Sequence, residues 1–155
     1  MFHLKFHPGA VLWICVILVF PGPLMAQGGQ IPFEQDPEAF IGLTLEELFS
    51  RMGTPRYVYP VRGLEEWQDD VVFVYDQGDM YIFRDRIWQI GFNSHRGISI
   101  GDTWGTAVMI LGQQAEGRGN SVFLPIHDRP WPLMLRLDFD INNRVQAMYV
   151  YRTDV

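Results

Sequence analysis

The sequence carries the same local pattern twice, and this duplication constrains the fold more than any other feature. The segment Ile41-Gly42-Leu43-Thr44 leads through an apolar helical pattern to Gly53. Further along, Ile100-Gly101-Asp102-Thr103 leads through a second apolar stretch to Gly112. Short, aromatic-rich strand patterns follow each copy. Self-similarity at such a period indicates structural units placed in tandem.

We therefore predict an α+β fold made of two helix-plus-antiparallel-meander repeats, residues 35–93 and 98–152. A unit of this size buries too little surface to be stable alone. The two repeats are expected to pack as one unit, with the helices on one face of the sheet. Residues 35–155 then form a single domain.

The first helix has the clearest local signals. Thr44 is placed to cap it, and Glu47 three residues later completes a capping box. Its apolar residues fall on one stripe, and Gly53 ends it. The stripe consists of Leu45, Leu48, Phe49 and Met52. In the second copy, Thr103 or Asp102 caps a helix that ends at Gly112.

Alternating and β-branched patterns predict the strands. In the first copy they cover 57–61, 71–75, 80–84 and 87–92. In the second copy they cover 122–126, 133–139 and 144–151. Alternation places Tyr81 and Phe83 on one face of their strand. By the same count, Trp88 shares a face with Ile90 and Phe92, opposite Ile87, Gln89 and Gly91.

The N-terminus is typical of an exported protein. A start with a single lysine, Lys5, is followed by an apolar run over 10–20 and by Pro21-Gly22-Pro23. This is the layout of a secretory signal peptide, here residues 1–26, and the run is shorter than the roughly 20 residues of a membrane span. An uncleaved anchor is the alternative. Residues 27–34 are expected to form a flexible leader.

Cysteine and charge exclude several functions. Cys15 is the single cysteine, and Ile14 before it does not fit a lipidation signal, so no lipid anchor is expected. Beyond residue 26 the chain has no thiol for a disulfide or a zinc-thiolate site. There, 11 arginines stand against 18 acidic residues, a net charge of −7. Such an acidic chain argues against nucleic acid and against anionic membranes as partners.

Catalytic patterns are weak, and we predict no enzyme, no metal site and no cofactor. His95 and His127 have no serine or cysteine at a catalytic spacing and are interpreted as surface loop residues. The segment 138–142 resembles a calcium loop but lacks its glycine, so a hairpin turn explains it better. The alternative function is a small extracytoplasmic hydrolase that uses carboxylates near Trp67. Those carboxylates are Glu65, Glu66, Asp69 and Asp70.

The first copy also carries a family resemblance. Residues 41–48, the Gly-Thr-Pro of 53–55, Trp67 and the meander resemble the SmpA/OmlA domain, the small lipoprotein domain of the outer-membrane β-barrel assembly machine. The tandem arrangement looks more like that of the β-lactamase inhibitory protein. No cysteine stands at the expected cleavage site, which departs from the lipoprotein pattern.

The resemblance implies an exported, non-catalytic module of the cell envelope, periplasmic or secreted, that binds a protein partner through its sheet. It would act as an assembly accessory, or as an inhibitor that inserts a loop such as 76–79. The residues expected on the binding face are Tyr81, Trp88, Met148 and Tyr151. That the aromatic side chains fill a core between the repeats is the other possibility.

Overall fold

The structure is a computed structural model that describes residues 31–62 and 70–155. The expected signal peptide and residues 27–30 of the expected leader lie outside the described residues. The helices are α1 (Leu45–Met52) and α2 (Trp104–Leu111), with 3-10 turns at Pro37–Phe40 and Gly112–Gln114. The strands are β1 (Tyr57–Val61), β2 (Asp70–Val74), β3 (Asp79–Phe83), β4 (Arg86–Gly91), β5 (Ser94–His95), β6 (Ile98–Ser99), β7 (Glu116–Arg118), β8 (Ser121–Ile126), β9 (Leu133–Phe139) and β10 (Val145–Arg152).

One antiparallel sheet of eight strands dominates the molecule. Its order is β1-β2-β3-β4-β10-β9-β8-β7, while β5 and β6 form a separate two-stranded ribbon. The meander β1–β4 and the meander β7–β10 meet where β4 pairs with β10. Local alternation placed seven of these strands within two residues of their ends. It missed β5, β6 and β7, which have two or three residues each.

The prediction of an α+β fold built from two tandem helix-plus-meander repeats is wrong. The chain forms a mainly-β fold around one continuous sheet, and the described residues contain only two α-helices. The physical reason is the length of those helices. Gly53 and Gly112, both at positive φ, end each of them after eight residues, about 12 Å of helix. Elements this short cover part of a sheet face and do not form a layer of their own.

The core lies between the helices and one face of the sheet, which we call the covered face. Phe49 of α1 contacts Phe73 of β2, with ring centroids 5.6 Å apart. Trp104 of α2 contacts Phe139 of β9 at 4.6 Å. Strand residues on this face are almost fully buried. They include Met80, Ile82, Ile90, Leu135, Leu137, Met148 and Val150.

The turn before each helix is fixed to the sheet by the same contacts. The Gly42 N–H donates to the Ile87 carbonyl, and the Gly101 N–H donates to the Val145 carbonyl, both at 2.8 Å. Both glycines have φ +92°, a backbone conformation that favours glycine. The start of each helix is therefore held directly against a central strand.

The capping box of α1 is confirmed. The Glu47 N–H donates to Thr44 Oγ1 at 3.3 Å, and the Thr44 N–H donates to Glu47 Oε2 at 2.8 Å. We expect Thr44→Ala to lower the free energy of unfolding by about 1 kcal/mol, because the N–H of Glu47 loses its acceptor. Urea denaturation measures this loss. Ser50→Ala, an exposed change within the same helix, should leave stability within about 0.5 kcal/mol of the parent. Equal effects of the two changes would contradict the capping role.

The expected leader joins the core at its C-terminal end. Phe33, inside the predicted flexible segment, is buried and lies against Phe40 and Phe92, with ring centroids 5.0 and 6.1 Å away. The predicted boundary at residue 35 is thus too late, because an aromatic side chain two residues earlier already packs in the core. The composition of residues 27–34 predicted a flexible linker. Burial of the Phe33 ring instead places the end of this segment in the core.

Candidate functional site

The second face of the sheet, which we call the open face, has no helix packed on it in the described structure. Its side chains form two rows that cross the strands. The first row comprises Tyr57, Val74, Asp79, Gly91, Tyr149, Arg136 and Phe123. The second comprises Tyr59, Val72, Tyr81, Gln89, Tyr151, Met134 and Pro125. Tyrosines recur in both rows, so this face presents aromatic surface to its surroundings.

The structure brings three of the four predicted binding residues to this face. Tyr81 and Tyr151 lie in the second row, half-buried. The indole Nε1 of Trp88 donates to Asp70 Oδ1 at 3.2 Å. Met148 is a correction: it is 1% exposed on the covered face and packs in the core. It lies three positions from Tyr151, and alternation along a strand therefore sends the two side chains to opposite faces.

The predicted facing of β4 is also wrong. Tyr81 pairs with Gln89 while Ile82 pairs with Ile87, so Trp88 is an additional residue in a β-bulge. The bulge shifts the alternation within the strand. Trp88 is thereby separated from Ile90, which is buried on the covered face. A strict period of two, counted along the sequence, could not find this.

Sequence reasoning missed most of the tyrosines. Tyr57 and Tyr59 on the edge strand β1 are 69% and 41% exposed, and Val61 beside them is 37% exposed. Tyr149 lies across the sheet, and its ring meets that of Tyr81 edge-on at 6.2 Å. The Tyr-x-Tyr spacing in both β1 and β10 could have indicated that these tyrosines lie on one face of the sheet. Residues two apart on a strand share a face.

A cleft of about 440 Å³ opens at one end of the open face. Asp79 lies in it, directly across from Gly91, and Tyr57, Tyr81 and Tyr149 line it. A Cβ atom at Gly91 would stand 3.5 Å from both the Asp79 Cβ and the Tyr149 ring. Gly91 therefore leaves room for about one carbon atom between the Asp79 Cβ and that ring.

The carboxylate of Asp79 has an unusual setting. In the described part of the chain, neither a hydrogen bond nor an ion pair engages it, and partial burial raises its pKa. Burial also raises the pKa of Tyr81, and the neighbouring Tyr149, Tyr59 and Asp79 add to that effect. Arg56 at the rim of the cleft forms an ion pair with Asp76. Asp79 is thus left as a negative charge among neutral phenols.

The ionic cluster around Glu38 lies elsewhere and was not predicted. Glu38 is 4% exposed. Its Oε1 lies 2.6 Å from Arg96 Nη2 and 3.1 Å from His95 Nε2, while its Oε2 accepts from Arg129 Nη2 at 2.7 Å. Burial alone would raise the Glu38 pKa. The hydrogen bonds from His95 and Arg96 and the charges of Arg96 and Arg129 outweigh it, and the pKa falls to about 2.

The cluster corrects the interpretation of His95 as a surface residue. Its side chain is 10% exposed and stacks on Phe92, with ring centroids 4.5 Å apart. Its contacts fix the N-terminal segment to the β5–β6 ribbon. His127 is exposed, as expected.

Of the four carboxylates of the alternative hydrolase, Asp70 lies within the described residues. Glu65, Glu66, Trp67 and Asp69 lie outside the described residues, and Asp70 accepts from Trp88. Among the described residues, no group of three histidine, cysteine or acidic side chains could hold a metal ion. The carboxylate of Asp140 accepts the N–H groups of Asn142 and Arg144 and so closes a hairpin turn, in agreement with the sequence interpretation.

Among the helices of residues 31–62 and 70–155, none combines the length and the hydropathy of a membrane-spanning segment.

Comparison with known proteins gives a likeness in fold. Neither a protein-family model nor a curated protein matches the sequence. An extracellular protein containing an SCP domain from Bacillus anthracis str. Ames superposes with a TM-score of 0.51 and 13% identity, over 76% of this chain and 45% of that one. A cysteine-rich secretory protein from Staphylococcus aureus subsp. aureus Mu50 has a TM-score of 0.45 and 12% identity, over 75% of this chain and 46% of that one. The chain thus spans less than half the length of either structure. At such identity the first match shows a shared fold alone.

Proposed function

We propose that this chain is an exported, non-catalytic module that binds a protein partner through its open face. The observation that carries the proposal is the exposed aromatic surface of Tyr57 and Tyr59, continued by the half-buried Tyr81, Tyr149 and Tyr151. Monomeric proteins rarely expose contiguous apolar surface without a use for it. Tyrosine and tryptophan are also the residues that dominate binding energy in protein interfaces.

Two further observations support the class and the location. The histidine–carboxylate contact of Glu38 with His95 lies within an ionic cluster that also holds Arg96 and Arg129, which favours a structural role for it and binding over catalysis. The N-terminal pattern is typical of export, and the Bacillus anthracis structure similar to this fold is described as an extracellular protein. Both observations support an exported protein, and we propose that it acts in the periplasm or outside the cell. The resemblance to the SmpA/OmlA domain stays a prediction that these comparisons do not address.

Site-specific photo-crosslinking tests which face binds. We expect benzoylphenylalanine in place of Tyr59 to form a covalent adduct with one partner protein in the cell envelope or culture medium of the source organism. Phe49 offers a matched control, since it is 42% exposed against 41% for Tyr59 but lies on the helical side. A probe at Phe49 should give no adduct with that partner.

An adduct from Phe49 alone would contradict the proposal, as would the absence of any adduct from Tyr59. The strength of the contact is measured by the Tyr151→Ala variant. It should weaken partner binding by about 2 kcal/mol or more, because an interface tyrosine contributes on this order. Its melting temperature reports whether the fold is intact.

A further inference from the structure

The cleft at the end of the open face combines three features: a carboxylate without a partner in the described structure, a ring of tyrosines, and a position without a side chain at Gly91. We infer that this cleft receives an arginine side chain of the protein partner, with its guanidinium against Asp79. The inference rests on the proposed function and names the chemistry of one contact within it.

The cleft is large enough to receive one long side chain of a partner. Its volume of about 440 Å³ is at the small end of the range for ligand sites, roughly 300–1,000 Å³. Asp79 lines the cleft, and its neighbours across the strands are Val74 and Gly91. Position 91 has no side chain, so the cleft is not narrowed by a Cβ beside Asp79. The Tyr149 ring borders the same position.

The charge of the cleft selects a cation. The positive charge of Arg56 is already paired with Asp76, so Asp79 remains as the uncompensated group. Tyrosine faces attract cations through the negative potential over the ring. A divalent metal ion would need several oxygen or nitrogen ligands, and the described residues supply no such group.

A guanidinium suits a cleft lined by tyrosines and a carboxylate better than an ammonium does. It is planar, stacks on aromatic rings, and can donate two parallel hydrogen bonds to one carboxylate. Such a charge-assisted contact is shorter and stronger than a neutral hydrogen bond. The partially buried carboxylate of Asp79 would then form an ion pair with the guanidinium of the partner protein.

Binding of a small probe to the purified protein tests the inference without the partner. N-acetyl-arginine amide, followed by NMR, should shift the backbone amides of Gly91 and Tyr149 in a saturable manner, with millimolar affinity. N-acetyl-citrulline amide, which has the same shape without the charge, should bind at least about tenfold more weakly. Saturation with the arginine probe should also lower the pKa of Asp79, an effect that a merely structural carboxylate would not show.

Two variants sharpen the result. Asp79→Asn should reduce the affinity for the arginine probe to that of the citrulline probe. Asp85→Asn should leave it unchanged, because Asp85 lies in the turn at the other end of β3, exposed and at φ 65°, a conformation that asparagine tolerates. Equal binding of the two probes, or full binding by Asp79→Asn, would overturn the inference. The crosslinking from Tyr59 would be unaffected by that failure, so the proposed function is judged separately.

Discussion

Gly42→Ala should destabilise the protein by about 3–4 kcal/mol, whereas Gly101→Ala should cost only about 1–2 kcal/mol. Both glycines have φ +92°, so the backbone strain of an added Cβ is the same at the two sites. The difference lies in what that Cβ would meet. At Gly42 it would overlap the indole of Trp131, coming within 2.8 Å of Cε2, while at Gly101 nothing stands within 4 Å.

Trp131 has little freedom to move away, since the guanidinium of Arg152 stacks over its ring at 3.8 Å. Urea denaturation of the two glycine variants measures the difference. A double-mutant cycle provides the control: with Trp131→Ala as background, Gly42→Ala should cost no more than Gly101→Ala. Equal losses for the two variants in the parent chain would show that the indole does not limit the space at Gly42.

Glu38→Gln should lower the free energy of unfolding by about 3 kcal/mol at neutral pH. The amide keeps the shape of the side chain but takes from Arg96, whose side chain is 39% exposed, the carboxylate that it contacts, and removes one of the two carboxylates that Arg129 contacts. Breaking a buried ion pair typically costs about 3–5 kcal/mol. Arg129 retains Asp36, at 2.7 Å, so we place the loss at the lower end. Glu34→Gln, an exposed change four residues earlier, is the matched control and should have an effect below about 0.5 kcal/mol.

The same carboxylate predicts acid sensitivity. Its pKa is about 2 in the folded protein and 4.5 in the unfolded chain, so the unfolded chain binds the proton first as pH falls. The stabilisation is therefore complete above about pH 5 and is lost progressively towards pH 2. Stability measured against pH should fall more steeply for the parent than for Glu38→Gln. Asp140 and Asp154, whose pKa values are also lowered, titrate equally in both proteins and cancel in the comparison. Parallel curves would refute the role of Glu38.

Local signals predicted the local structure well. The box of Thr44 and Glu47 and the stop at Gly53 fixed α1, because each depends on residues within one or two turns. Alternation located the long strands for the same reason. Alternation failed at Trp88, because the β-bulge there adds one residue to β4. The side chains on either side of the bulge then no longer follow a single count of two along the sequence.

Capping residues and strand alternation could not predict the fold class or the contacts between residues distant in sequence. Two helices with the right caps do not reveal that a single sheet will dominate the molecule. The partners of Glu38 lie near positions 95 and 129, in loops that no periodic pattern joins to the N-terminal segment. For the candidate site, alternation predicted Tyr81, Trp88 and Tyr151, although the β-bulge gives Trp88 a facing that differs from the one counted along the sequence. Asp79 was considered only as part of the candidate inhibitor loop 76–79, because its place in the cleft depends on Gly91 of the neighbouring strand.

The order of strands has a consequence for the course of folding. Every pairing within the eight-stranded sheet joins strands adjacent in the chain except that of β4 with β10, where three residue pairs meet. The hairpins on either side can each form early, whereas this junction must close a loop of about sixty residues and carries the larger entropic cost. We therefore expect the pairing of β4 with β10 to be the slow step of folding.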